Sequence, residues 1–331
     1  MRLPDRFPLV VALTLFISLY CCGCGGGGGG TAVTTGGGGG GGAVTTADPP
    51  SLAGVQIFPA NNPWNTDISA YPLHRRSSDY VATIGATANL HPDFGTSWSE
   101  GEIGIPYCVV SGSQAKVPVS FYYPTESDPG PYPIPPDAPI EGGASATGDR
   151  HILVLDKDNH KLYEVYDAHK NGAGWACGSG AVFDLSSNLL RPDGWTSADA
   201  AGLPILPGLV RYEEVAAGEI RHAIRFTAER TGHGFIHPAT HLVSDDTDPT
   251  LPPMGLRMRL KASYDISGFN ASCQVVLTAL KRYGMLLADE GTSWYITGTH
   301  DSRWHDEDFW PLNDVPGSAF EAVDTGPILT G

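Results

Sequence analysis

RHILVLDKDNHKLYEVYDA, residues 150–168, is two runs of branched and aromatic residues separated by the turn sequence KDNH. The spacing predicts a β-hairpin with strands over 150–156 and 161–168. In the second strand Glu164 falls on the same face as Leu162 and Tyr166. A carboxylate on an apolar face is costly unless it is hydrogen-bonded or paired. Asp149, Arg150 and His151 stand at the mouth of the first strand, directly after Glu141 and a Pro-rich stretch. Such a group of acids and imidazole serves either an internal ion pair or acid–base chemistry on a glycosidic bond.

Strand signals recur on both sides of the hairpin. IPYCVV (105–110), KVPVSFYY (116–123), SGAVFDL (179–185), EIRHAIRFT (219–227), LRMRLKAS (256–263), GMLLAD (284–289) and SWYITG (293–298) each read as strands. Two segments predict helices. SSDYVATIG (77–85) opens on Ser and stops at Gly, and CQVVLTALKRY (273–283) puts Cys273, Val276, Leu277, Leu280 and Tyr283 on one stripe, with Gly284 suited to the C-terminal cap. SDPGPYPIPPDAPIEGG (127–143) is too rich in proline for either structure and predicts an extended surface loop. The fold expected is mostly β: an antiparallel β-sandwich or jelly-roll-like core with one substantial C-terminal helix and long Pro/Gly-rich loops, with α+β as the alternative.

The chain begins as an export signal. Arg2 and Arg6 precede FPLVVALTLFISLY (7–20), an apolar run too short to remain in a bilayer. It ends in CCGCGGGGGG, which resembles the lipid-attachment site of bacterial lipoproteins. Cys24 follows the small residue Gly23 and is the favoured acceptor; Cys22, three after Leu19, is next, and cleavage without lipidation is the remaining reading. Residues 25–54 are Gly/Thr-rich with little to bury, so they predict a disordered linker spanning roughly 30 Å. Residues 1–24 are thus expected to be signal, 25–54 linker and 55–331 one β-rich domain. The net charge of −16 argues against a nucleic-acid or anionic-membrane surface, so membrane contact is expected only through a lipid anchor. Past the signal, Cys108, Cys177 and Cys273 allow one disulfide at most.

EIRHAIRFT carries a histidine on its apolar side, with Ile220, His222, Ile224 and Phe226 on one face and Arg221, Ala223, Arg225 and Thr227 on the other. His222 is either a general base or acid, or a core histidine bonded to backbone. A reversal between Thr231 and Gly232 would set His222 opposite His241 and Phe226 opposite His237. His233, His237 and His241 have zinc-like helical spacing, but Gly232, Gly234 and Pro238 oppose a helix, and no metal site is expected. HPDFG (91–95) reads as a turn in which Asp93 caps its own backbone. THDSRWHDEDFW (299–310) reads as an acidic surface segment anchored by Trp304 and Phe309. Arg257, Arg259 and Lys261 form a basic stripe, a solvated face or a contact for an acidic glycan. No GxSxG elbow, Walker loop, HExxH or dinucleotide fingerprint is present, and no motif specifies a cofactor.

NPWNTDIS, LHPDFGT, GDRHILVLDKDN, GWTSADAAGLPILPGLVRYEEV, IRHAIRF, PPMGLRMRLKASYDISGF and ALKRYGMLLADEGTSWYITG resemble an uncharacterised family of exported bacterial proteins. The resemblance extends from about Phe58 to Asp324 and implies one contiguous secreted domain; it carries over no activity and no catalytic residues. The residues themselves lead to an envelope-tethered or secreted protein that hydrolyses an extracellular polysaccharide or cleaves it by β-elimination. His222, His151, Asp149 and Glu164 are the expected catalytic groups, and His241, Trp175, Trp195, Tyr166, Arg257 and Arg259 the substrate contacts. A glycan-binding module or envelope scaffold is the competing class.

Overall fold

In the chain order of the computed structural model, which describes residues 52, 55–97 and 101–330, helix α1 (Ser77–Gly85) precedes the short strand β1 (His91–Asp93). There follow β2 (Tyr107–Val110), β3 (Val119–Phe121), β4 (Ile152–Asp156), β5 (Lys161–Tyr166), β6 (His169–Asn171), β7 (Gly174–Cys177) and β8 (Ser179–Asp184). The second half holds α2 (Tyr212–Ala217), β9 (Ile224–Ala228), β10 (Arg257–Leu260), α3 (Ala271–Arg282), β11 (Met285–Glu290), β12 (Tyr295–Thr297) and β13 (Phe320–Ala322). The expected signal, Cys24 and nearly all of the expected linker lie outside the described residues. Among the described residues no helix is long and apolar enough to cross a membrane.

The fold is mostly β, with few helices, as expected. The predicted hairpin forms, pairing Ile152 with Val165 and Asp156 with Lys161. Asp156 closes its turn by accepting from the Asn159 backbone N–H at 3.1 Å and its side-chain amide at 2.8 Å. The sheets differ from the antiparallel expectation in being mixed. The six-stranded sheet runs β1-β12-β9-β11-β10-β13, with β1/β12 and β9/β11 parallel, and β2 joins β4 in parallel at one edge of the sheet β2-β4-β5-β8. A small third sheet is β3-β7-β6.

The hairpin strands are apolar on both faces because both faces are covered. Leu153, Leu155 and Leu162 join the core of the six-stranded sheet, while Ile152, Val154, Tyr163 and Val165 pack with Trp175, Tyr132 and Ile134 on the other side. Each such side chain contributes about 1.5–3 kcal/mol by its burial. The Pro-rich stretch is therefore only partly a surface loop. Tyr132 and Ile134 are sealed in the second core, and Tyr132 exchanges both backbone hydrogen bonds with Val117. Helix α3 buries Cys273, Val276, Leu277, Ala279 and Leu280 as its stripe predicts, and Gly284 (φ +65°) turns it into β11. A Cβ on Gly284 would lie 2.1 Å from the Met258 carbonyl oxygen, so no other residue fits that turn. Cys108, Cys177 and Cys273 are all unpaired.

Two strand readings need correction. Strand β9 starts only at Ile224, lies between β12 and β11, and turns its Arg225 side inward instead of to solvent; Ala223 and Ile224 are fully buried and Arg225 nearly so. Residues 231–241 do not pair with it, so the His222–His241 pair that a reversal between Thr231 and Gly232 would have made does not form. The basic stripe on β10 is not solvated either. Arg257 is sealed, donating to the carbonyls of Tyr283 (2.8 Å) and Pro63 (3.0 Å), and burial pulls its pKa down to about 9. Arg259 is committed to Glu321 at 2.7 Å and to the carbonyls of Ile68, Ser69 and Tyr71. Neither arginine is free to meet a glycan.

Candidate functional site

Arg225 is the hub. Its Nε and Nη2 donate to the two oxygens of Asp199 at 2.8 and 2.7 Å, Nη1 donates to Thr297 Oγ1 at 2.9 Å, and Nη2 also reaches Asp289 at 3.2 Å. Sheet register explains the alignment. Asp93 faces Thr297 across β1/β12, the β12/β9 pairing sets Thr297 beside Arg225, and Asp289 follows a break in the β9/β11 ladder between Leu287 and Asp289. Asp93 and Asp289 thus lie at or near the carboxyl ends of strands that run parallel to a neighbour, where α/β and mixed sheets commonly place ligands.

Asp199 comes from the loop after β8. Ser197 Oγ accepts from the Asp199 N–H at 2.9 Å and donates to the Leu203 carbonyl at 2.6 Å. Gly202 (φ +75°) closes the turn by bonding to the Asp199 carbonyl at 3.0 Å, and Ala201 ties it to the Ala288 carbonyl at 3.0 Å. Asp199 is sealed, so it balances the Arg225 charge and does not meet solvent.

The second wall comes from the hairpin's mouth. Glu141 and His151 are joined through backbone and side chain: Glu141 N–H donates to the His151 carbonyl at 3.0 Å, and His151 Nδ1 donates to Glu141 Oε2 at 2.6 Å. His151 Nε2 faces the Ala198 carbonyl at 3.0 Å. Both ring nitrogens meet acceptors, which only the doubly protonated ring satisfies. Burial opposes that charge, but the Glu141 carboxylate outweighs it, with help from Asp149, and lifts the His151 pKa to about 9. Arg150, itself left-handed (φ +51°), ties the intervening loop down by donating to the carbonyls of Ala144 and Ala146, and also donates to that of Ala168.

Solvent reaches Asp93, Glu141, Asp149 and Asp289, and their environments differ. Burial raises Asp289 to about 7, with the Asp199 charge adding and Arg225 opposing. Burial also lifts Asp93, reinforced by Glu141. For Glu141 burial acts upward too, but His151 prevails and holds it below the usual carboxylate range. The site therefore offers one carboxyl that keeps its proton near neutrality and another that stays ionised. Tyr166 is half-buried at its edge, its ring 5.7 Å from that of His151, and the charges of Asp149 and Asp289 help burial raise its hydroxyl pKa.

Of the expected catalytic residues, His151 and Asp149 come together here. Glu164 adjoins the site but is completely enclosed, accepting from the backbone N–H groups of Ile205 (2.9 Å) and Leu206 (2.9 Å), and burial raises it to about 7. It holds the loop that follows Asp199 and cannot touch a substrate. Trp175 is buried beneath Lys170, 3.9 Å from its ring, and is likewise unavailable. Trp195 is half-exposed with Arg191 over its ring, and His241 bonds the Ala200 carbonyl at 2.8 Å.

His222 lies elsewhere. It lines a hollow of about 720 Å³ with Arg211, Glu213, Glu214 and the N-terminal residues Leu52, Val55 and Ile57. It does stand beside an acid, Nε2 to Glu214 at 3.1 Å, but Nδ1 meets the Ala223 carbonyl at 2.7 Å, so both nitrogens face acceptors. Burial pushes Glu214 upward, yet Arg211 and His222 overcome it and bring it down to about 2. Both ring nitrogens are thus held by acceptors of the fold itself. His222→Ala is accordingly expected to lose stability by about 1–3 kcal/mol through the stranded Glu214, while turnover changes less than about twofold. Thermal melts and initial rates check this; a folded variant with activity reduced a hundredfold would return His222 to the mechanism.

Asp93, Glu141, Asp199, Arg225 and Asp289 are the groups that the sequence did not single out as site residues. The signals were an acid ending an apolar strand (Asp289) and an arginine inside one (Arg225); nothing local marks Asp199. No family model, curated protein or solved structure matches the chain.

Proposed function

We propose that the protein cleaves the glycosidic bonds of an extracellular polysaccharide by acid–base catalysis, exported by its N-terminal signal and held at the envelope through Cys24 or released. The observation that carries this is Asp289, open to solvent and sharing Arg225 with the sealed Asp199, in a site where the same Arg225 charge also acts on the His151-paired Glu141. Asp289 delivers a proton to the glycosidic oxygen. Glu141, fixed by His151, stabilises positive charge on the sugar ring, attacking the anomeric carbon or directing water to it. Asp149 and Asp93 add negative potential at the rim, and Tyr166 offers a ring for a sugar face.

A binding module would need an aromatic platform and has no use for carboxyls held at opposite protonation states. The test is release of new reducing ends from a panel of polysaccharides by the whole chain. Cleavage of at least one polymer is expected. Retarded migration in polysaccharide-loaded gels with no cleavage of any polymer would make it a binding protein.

A further inference from the structure

The charges that act on the site groups are dominated by acids. Asp199 and Asp289 take Arg225, and Glu141 takes His151. Asp149 and Asp93 remain exposed, and among the described residues neither has an ion-pair partner. The other cations nearby are engaged: Arg150 donates to backbone carbonyls, and Arg191 is paired with Asp128 over the Trp195 ring. His91, which acts on Asp93, stacks on Tyr295 at 4.1 Å and bonds Asn313. Arg257 and Arg259, the expected contacts for an acidic glycan, are held away within the fold.

β-Elimination breaks the C4–O bond of a uronic acid after a base removes the C5 proton. It needs a positive group against the C5 carboxylate to stabilise the carbanion-like transition state. The site has no such group uncommitted and instead presents unmatched carboxylates. Resting on the reading of this site as a glycosidase centre, we infer that its substrate is a glycan of neutral or amino sugars, without uronate or sulfate, and that the bond is broken by hydrolysis. Water's hydroxyl goes to the anomeric carbon, and its proton replaces the sugar on the leaving oxygen.

The experiment offers the whole protein neutral polymers (arabinan, galactan, mannan, mixed-linkage β-glucan), chitosan as the amino-sugar polymer, and acidic polymers (polygalacturonate, alginate, hyaluronan). Reducing ends and absorbance near 235 nm, the mark of an unsaturated uronate, are followed together. Like charges brought together cost several kcal/mol, so rates on a neutral or amino-sugar polymer should exceed those on any acidic one by about 100-fold or more. No 235 nm product should form, and Asp149→Asn should narrow the preference. Faster cleavage of an acidic polymer, or 235 nm product, overturns the inference. If Asp289→Asn abolishes that cleavage, the site itself stands and only its substrate class is wrong; if it does not, both fall. No cleavage of any polymer overturns both.

Discussion

Asp289→Asn is expected to lower kcat by about 10²–10⁴ on the best substrate while leaving KM nearly unchanged and the fold intact. Asparagine keeps the hydrogen bond from Arg225 and removes the transferable proton. The pH dependence gives the sharper signature. A general acid works in its protonated form, and Asp289 holds its proton up to about pH 7, so wild-type kcat should fall as pH rises through about 7. Burial pushes Glu141 upward, but His151 holds it below the usual carboxylate range, and it must be ionised, so the acid limb should appear only below the pH at which free carboxylates titrate. The variant should lose the alkaline limb.

Stability carries the same sign. The folded pKa of Asp289 is raised, so its contribution is present below the unfolded value and lost as pH rises through about 7. At pH 8 Asp289→Asn should therefore melt no lower than wild type, and above it if the charge is costly there. Equal kcat in variant and wild type would remove Asp289 from the chemistry.

Asp199→Ala should cost about 3–5 kcal/mol, a drop on the order of 10 °C in Tm for a domain of this size. The loss comes less from attraction forgone than from the Arg225 guanidinium left buried without its bidentate partner. Replacing both groups by apolar residues, as in an Asp199→Leu/Arg225→Met double variant, should recover part of the stability while leaving activity low. Removing the Asp199 charge also takes away a cause of the raised Asp289 pKa. Any activity left in Asp199→Asn should have its alkaline limb shifted below pH 7. An unchanged Tm in Asp199→Ala would show that the pair is not sealed.

The legible parts of the fold were those fixed by local patterning. The hairpin is written in its turn and in two runs long enough to pair, and α3 in a stripe of 3.6 periodicity with a glycine stop. His151 and Asp149 could be placed because the hairpin places them. Pairing between distant strands has no such local mark. β9 reads as one-sided by alternation, but β11 and β12 flank it and the loop carrying Asp199 covers the Arg225 side, so Arg225 turned from a solvent residue into the hub of the site. His222 drew notice as a polar group in an apolar pattern, yet that pattern breaks before β9 begins. HPDFG looked like a turn because proline and glycine flank its acid; pairing with β12, which sets His91 against Tyr295 from far along the chain, makes it a strand. Asp199 sits in a loop whose path is set by bonds to Ala288 and Thr240, contacts that no window of sequence contains.

Carbon-13 NMR of the side-chain carboxyls, titrated in the folded wild type and in Asp289→Asn, reads the protonation states without any substrate. One aspartate resonance should titrate near pH 7 in the wild type and be missing from the variant. A wild-type spectrum in which every solvent-reachable aspartate is ionised by pH 5 would contradict a proton held on Asp289, and with it the assignment of this site to acid–base cleavage.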